Sequence, residues 1–246
     1  MTAPARRAVF AAFLGLSVSF GLTACGPATP TAGIVDPNEG YNRGIHKFNL
    51  AVVKNVVRPL ANSATKIIPP QVREGVDNFA GNLELPGRVV NNVLQLRFGK
   101  AIENTTRFAI NTTLGIGGLF DPATAVGVEG KDTDFGETLY VWGVTEGNYA
   151  ELPFIGPSTD RDALGKAIDI ALDPVKLLWP DSDNIRLFAK LGSGLSARGR
   201  YTQTLDSILY ESADSYAQAR LLYLDNRRFN LGQTPSEDTF EDPYAQ

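Results

Sequence analysis

Residues 69–95 read Pro69-Pro70-Gln71-Val72-Arg73-Glu74-Gly75-Val76-Asp77-Asn78-Phe79-Ala80-Gly81-Asn82-Leu83-Glu84-Leu85-Pro86-Gly87-Arg88-Val89-Val90-Asn91-Asn92-Val93-Leu94-Gln95. Val72, Val76, Phe79 and Leu83 recur at helical spacing opposite Arg73, Glu74, Asp77 and Asn78, so the stretch predicts an amphipathic helix starting after Pro69-Pro70. Pro86 lacks an N–H and is expected to open a second helix, with Val89, Val90, Val93 and Leu94 on one side and Arg88, Asn91, Asn92 and Gln95 on the other.

The same pattern extends in both directions. Upstream, Asp36-Pro37-Asn38-Glu39 has the form of a helix start, with Asp36 as N-cap and Glu39 reaching back, and Tyr41, Ile45, Phe48, Val52 and Val56 form a stripe that Arg58-Pro59 is expected to end. Downstream, Ile102, Thr105, Phe108 and Ala109 continue the scheme to Asn111. Further helices are predicted after a cap at Ser158 or Thr159, from about 184 to 201 and from about 215 to 229. Strand signals are confined to 149–155, where Pro153 restricts any strand to an edge. The fold class that follows is all-α: short amphipathic helices broken by prolines, with little or no β structure.

The amino terminus carries a different signal. Arg6 and Arg7 precede an apolar run from Val9 to Leu22, and Leu22-Thr23-Ala24 leads to Cys25, the single cysteine of the chain. A run of this length suits a signal peptide better than a membrane span, and small residues before a thiol mark a bacterial lipoprotein. Residues 1–24 are therefore expected to be removed, and Cys25 to carry a diacylglycerol and an N-acyl chain. Two or three chains anchor a protein durably where one does not. Gly26 stands where an aspartate would favour inner-membrane retention, so the outer membrane, on its periplasmic side, is the expected address. Residues 25–35, rich in Pro, Thr, Ala and Gly, read as a flexible tether. Residues 36–230 read as the helical domain, and the acidic, turn-rich 231–246 as a disordered tail.

Composition excludes several classes. The chain has 23 basic and 27 acidic side chains, and loss of the signal with its two arginines leaves a formal charge of −6 over 222 residues. Such an acidic balance argues against nucleic acid as a partner. A lone cysteine consumed by lipid permits neither an intrachain disulfide nor a thiolate metal site, and no metal or other cofactor is expected. His46 is the only histidine, so a Ser-His-acid triad would have to pass through it. No Gly-x-Ser-x-Gly elbow occurs, and His46 reads as a surface or packing residue. The carboxylates at Asp132 and Asp134 and at Asp160 and Asp162 read as helix caps. Gly115-Ile116-Gly117-Gly118 lacks the ending of a phosphate loop, and its neighbours Leu114, Leu119 and Phe120 are apolar, which suits a hinge, a lipid-contacting loop or a tight turn. Trp142, Trp179, Tyr140 and Tyr149 are candidates for interfacial anchors or for packing.

Several runs, in order, resemble the MlaA/VacJ family of outer-membrane lipoproteins. They are Asp36 through Arg43, Asn78 through Pro86, Arg107-Phe108, Asn111 through Asp121, Phe135 through Leu139, and Leu152 through Asp162. The resemblance covers about 36–229 and departs from the family at Tyr140 and Thr145, where glycines are usual, and at Asn148, where proline is usual. It implies a ring-shaped helical body lying in the outer membrane, with an amphipathic channel that takes mislocalised phospholipids from the outer leaflet. It also implies association with a porin trimer and delivery to a soluble periplasmic carrier of the MlaC type. By position it marks Asn111, Gly115, Gly117, Gly118 and Asp121 as a mobile loop beside the channel. Asn42, Arg43, Asn82, Asn91 and Arg107 are polar motif residues for helix-to-helix bonding or the lipid phosphate. A membrane phospholipase and a purely structural, porin-associated lipoprotein are the alternatives.

Overall fold

The computed structural model describes residues 33–233. Cys25 and the signal segment lie outside the described residues, as do most of the tether and residues 234–246 of the expected tail. The described chain is mostly helical, with one two-stranded sheet.

Helix α1 (Glu39–Val52) has its N-cap at Asn38, two residues after the expected cap at Asp36. Asp36 has another role: its Oδ1 accepts from Asn42 Nδ2 at 2.8 Å, and its Oδ2 from the Tyr216 hydroxyl and Arg220. Glu39 pairs with Arg43 one turn on, at 2.7 Å. Nor does Arg58-Pro59 end the run. A π-helical segment, Val53–Val57, leads directly into α2 (Arg58–Ile67), with Pro59 in its first turn. The wider π turn relieves the clash a proline ring makes with the carbonyl four residues back.

The second proline expectation also fails. Helix α3 (Pro70–Leu94) runs unbroken through Pro86. It packs along both α4 (Phe98–Thr113) and α9 (Asp183–Arg200), and contact along both sides outweighs one missing backbone bond. After α4 a turn leads to α5 (Pro122–Ala125), capped by Asp121, which accepts from Thr124 N at 3.2 Å. Helix α6 (Phe135–Val141) is capped by Asp134, which accepts from Glu137 N at 2.7 Å.

Strands β1 (Tyr149–Leu152) and β2 (Gly156–Thr159) form an antiparallel hairpin in which Tyr149 faces Thr159 and Leu152 faces Gly156. Pro153 falls in the turn, where its missing N–H disturbs no ladder. Thr159 caps α7 (Asp160–Ala171), as expected, accepting from Asp162 N at 3.3 Å. Of the four paired carboxylates only Asp134 is a cap. Asp160 accepts from Asn148 N, Asp132 pairs with Arg88, and Asp162 is buried against Arg227 and Tyr223. Short helices α8 (Pro174–Leu178) and α10 (Thr202–Asp206) flank α9. A second π segment, Ser207–Glu211, then precedes α11 (Ser215–Asn230), capped by Asp214.

The distribution of side chains inverts that of a soluble domain. Among the described residues, twelve apolar residues are buried against nineteen polar or charged ones, while thirty-six large apolar residues are exposed. The apolar cluster of fully buried residues is small: Tyr149, Tyr216 and Leu224. Cohesion therefore rests heavily on paired polar groups. A buried polar group is tolerated only when hydrogen-bonded. Outside, Ile67, Phe98, Ile102, Leu114, Phe154, Leu178 and Phe188 are each more than half exposed. An apolar surface on this scale marks contact with lipid or another protein. Of the four aromatic anchor candidates, Tyr140 and Tyr149 are buried and Trp142 donates to Leu94 O at 3.1 Å. Trp179 alone is exposed, over about half its surface. No helix of the described residues is long and apolar enough to cross a membrane.

Candidate functional site: an amphipathic cavity and a polar latch

A cavity of about 500 Å³ opens between α3, the segment before α6, the end of α7, α8 and α9. Its wall is divided in character. Leu83, Val90, Leu94, Ile168, Leu172 and Leu187 contribute apolar surface, while Glu84, Arg88, Asn91, Asp169, Arg186 and Lys190 contribute polar groups. The period of α3 explains the mixture, because the wall takes in the border between its apolar stripe and its polar face.

The charges around this cavity are mostly committed to one another. Arg88 spans Glu84, at 3.0 Å, and Asp132; Arg186 pairs with Asp173; Lys176 lies 3.1 Å from Asp183. Lys190 is held most loosely, 3.7 Å from Glu84 and two-thirds exposed. Burial raises the Asp169 carboxyl above its ordinary value, against donation from Phe135 N and Asn91 Nδ2. Asn91 thus lines the cavity while bonded on both sides, since its Oδ1 also accepts from the Thr138 hydroxyl at 2.8 Å.

A second, smaller cavity of about 220 Å³ is lined by Asn82, Arg107, Asn111 and Asp121, four of the sequence-predicted residues, and shares Arg88 with the first. These residues form a latch. Arg107 donates to Asp121 Oδ2 at 2.5 Å, to Val128 O at 2.6 Å and to Thr124 Oγ1 at 2.8 Å. Asn111 donates to Asp121 Oδ1 at 2.9 Å and accepts from Ala123 N at 3.1 Å. The glycines close the turn between them. A Cβ at Gly115 would stand 2.4 Å from the carbonyl oxygens of both Asn111 and Phe120. Gly117 and Gly118 have φ of 71° and 95°, a region costly for residues with a Cβ, and Gly118 sits against Asn82. The root of the loop is therefore pinned, while Leu114, Ile116 and Phe120 project outward.

The latch carries a pH dependence. Burial pushes the Asp121 carboxyl up, but donors from Thr124, Asn111 and Arg107 outweigh it and hold the group below its ordinary value. A carboxylate depressed on folding adds stability above its unfolded pKa of about 3.9, and that stability is lost as pH falls through the lower folded value. The melting temperature of wild type should accordingly exceed that of Asp121→Asn at neutral pH. The gap should close as the pH is lowered below about 4 in a pH series of thermal melts.

Asn42 and Arg43 lie apart from both cavities. Asn42 bridges Asp36, Tyr149 O and Glu151 N, fastening α1 to the hairpin. Arg43 joins Glu39 to Asp214 and lies 4.5 Å over the Tyr216 ring. Sequence reasoning missed the cavity's Glu84, Asp169, Arg186 and Lys190. Their spacing on α3, α7 and α9 gives no local motif, because the wall exists only once the three helices meet.

His46 is buried, and both ring nitrogens are engaged: Nδ1 lies 3.2 Å from Glu151 Oε1 and Nε2 3.2 Å from Ser215 Oγ. The order serine, histidine, carboxylate is that of a hydrolytic triad. Yet the nearby Ala217 N–H, on the first turn of α11, is occupied by Asp214 at 3.1 Å, and Glu151 also accepts from Asn49 and Tyr149. The chain ties α1, the hairpin and α11 together. That is the packing role expected for this histidine.

A helical body with apolar faces outward and a mixed polar and apolar cavity within defines a protein built to handle amphiphiles. Comparisons with known proteins agree. The family model described as MlaA lipoprotein matches residues 34–230. The intermembrane phospholipid transport system lipoprotein MlaA of Shigella flexneri is 36% identical over 241 residues, 95% of this chain and 92% of that protein. Its counterpart of the same name in Escherichia coli strain K12 is 35% identical over the same shares. A chain solved in work on the structural basis for maintenance of bacterial outer membrane lipid asymmetry aligns with a TM-score of 0.70 at 30% identity, covering 80% of this chain and 98% of that one. The chain belongs to the MlaA lipoprotein family.

Proposed function

We propose that this protein is an outer-membrane lipoprotein, anchored through acyl chains on Cys25, that conducts mislocalised phospholipids from the outer leaflet toward the periplasm without breaking a covalent bond. The observation that carries the reading is the inversion of polarity: apolar side chains face outward, while the cavity of about 500 Å³ between α3, α7 and α9 is lined by both leucines and charges. An isolated charge in hydrocarbon costs several kcal/mol or more, and a polar-lined passage lowers that barrier. Amphipathic helices can lie with one face among acyl chains, so no helix needs to span the bilayer. A ring-shaped body, a porin trimer as membrane partner and a soluble carrier of the MlaC type as acceptor complete the proposal. The names of the relatives support a role in phospholipid handling.

A null strain should accumulate outer-leaflet phospholipid, measured by acylation of lipopolysaccharide or by outer-leaflet labelling. Wild type should correct it and Cys25→Ala should not. In the same preparation, purified protein should release no fatty acid from labelled phospholipid. Equal complementation by the unanchored variant, or fatty-acid release abolished by His46→Ala, would overturn the reading.

A further inference from the structure

Two π-helical segments occur among the described residues, Val53–Val57 and Ser207–Glu211. Such turns are rare and concentrate at functional sites, because a widened turn re-aims the side chains beside it. Both adjoin one cluster. Arg58 follows the first segment, Asp206 precedes the second, and Tyr210 lies within it.

Arg58 Nη2 donates to Asp206 Oδ2 at 2.6 Å, and Arg198 Nη2 donates to Asp206 Oδ1. A single carboxylate thus holds two guanidinium groups, and the trio carries a formal surplus of one positive charge. The Arg58 guanidinium also lies 5.6 Å over the Tyr210 ring. Arg198 is only 7% exposed, so its charge is not diluted by solvent. After these bonds are counted, Arg58 Nε, Arg198 Nε and Nη1, and the Tyr210 hydroxyl remain buried without a partner. Three are obligate donors and the fourth is able to donate. The group that satisfies such a set is an anion with several acceptor oxygens, and guanidinium forks match phosphate best. A cation would be repelled by the surplus charge, and a neutral ligand would leave it uncompensated.

We propose that Arg58, Arg198 and Tyr210 form a phosphate-binding site between α2, α9 and the second π segment, separate from the amphipathic cavity. The choice of a phospholipid headgroup as physiological ligand rests on the conduit reading; the anion chemistry does not. A headgroup phosphate and free inorganic phosphate present the same oxygens, and a titration separates them.

The test uses the full lipidated protein in non-ionic detergent, stripped of bound lipid and titrated with dihexanoyl phosphatidylglycerol or with inorganic phosphate, followed by phosphorus NMR and calorimetry. Saturable binding is expected, tighter for the short-chain lipid if the headgroup is the ligand and tighter for inorganic phosphate if it is not. Arg198→Gln should weaken binding about tenfold or more, through loss of charge-assisted donors. Arg198→Lys should restore little, because an ammonium lacks the fork. Tyr210→Phe keeps the ring and should still weaken binding a few-fold. The site is overturned if neither ligand binds, if Arg198→Gln and Tyr210→Phe titrate like wild type, or if Arg198→Lys restores binding in full. Failure of the wild-type protein to move phospholipid, with phosphate binding intact, would remove the conduit reading and leave the site standing.

Discussion

Replacing Gly115 by alanine should unfasten the Asn111–Asp121 turn and cost about 3 kcal/mol or more, the upper range for overpacking, because the new methyl meets rigid backbone. A Cβ there would stand 2.4 Å from two carbonyl oxygens, those of Asn111 and Phe120, and 3.1 Å from the Asn111 carbonyl carbon. Backbone cannot rotate aside as a flexible side chain can. Gly117 supplies the control: its φ is 71°, yet no atom lies within 4 Å of its would-be Cβ. Gly117→Ala should therefore cost only about 1–2 kcal/mol, the conformational penalty alone. Gly118 combines a φ of 95° with contacts of 2.6 Å to Asn82, so its alanine variant should fall between the two, depending on how far Asn82 yields. Thermal melts of the three variants in detergent would check the order. Equal effects at Gly115 and Gly117 would show that backbone angle, not the close approach, governs the turn.

A loss of about 3–5 kcal/mol is expected for Arg227→Met, the range for removing one partner of a buried ion pair. Arg227 donates to Asp134 at 2.7 and 2.8 Å and to both oxygens of Asp162 at 3.0 Å, joining α11 to α6 and α7. The Asp162 side chain is only 3% exposed. Burial pushes that carboxyl up, but Arg227 and Arg161, with the Tyr223 hydroxyl, hold it below its ordinary value. Without Arg227 the burial effect dominates, and Asp162 must stay charged at a cost or take up a proton. Asp162→Asn placed on the Arg227→Met background should recover part of the loss. Denaturant melts of both single variants and the double variant would measure the coupling. Additive losses would mean that the two groups do not act as a pair.

Much of the helical architecture was legible in the chain because amphipathic periodicity is local. The stripes at Val72–Leu83 and Ile102–Ala109 fall on α3 and α4, and the helix predicted after Ser158 or Thr159 is α7. Thr159 caps where expected, since capping involves neighbouring residues. The prolines misled for the opposite reason. Whether a helix continues past Pro59 or Pro86 depends on what packs against it, and α3 gains contacts along α4 and α9 that no window around Pro86 contains. The site divides similarly: the Asn111–Asp121 part of the latch is one continuous motif with Arg107 one turn before it, whereas the cavity wall joins α3, α7, α8 and α9.

By itself, then, the amino-acid sequence determined the helical class, most helix positions, the expectation of a lipidated amino terminus at Cys25, and the polar motif that closes the glycine turn. The first three are read from spacing along one segment, and the motif is what the family resemblance implies. Tertiary structure alone decided that helices persist through two prolines, that Asp36 and Asp162 serve as buried acceptors rather than caps, and that Arg58, Arg198 and Tyr210 converge. The physical reason is that burial and charge pairing are set by residues distant in the chain. Asp162 meets Arg227 across 65 positions and Arg58 meets Asp206 across 148, and no local pattern records either meeting.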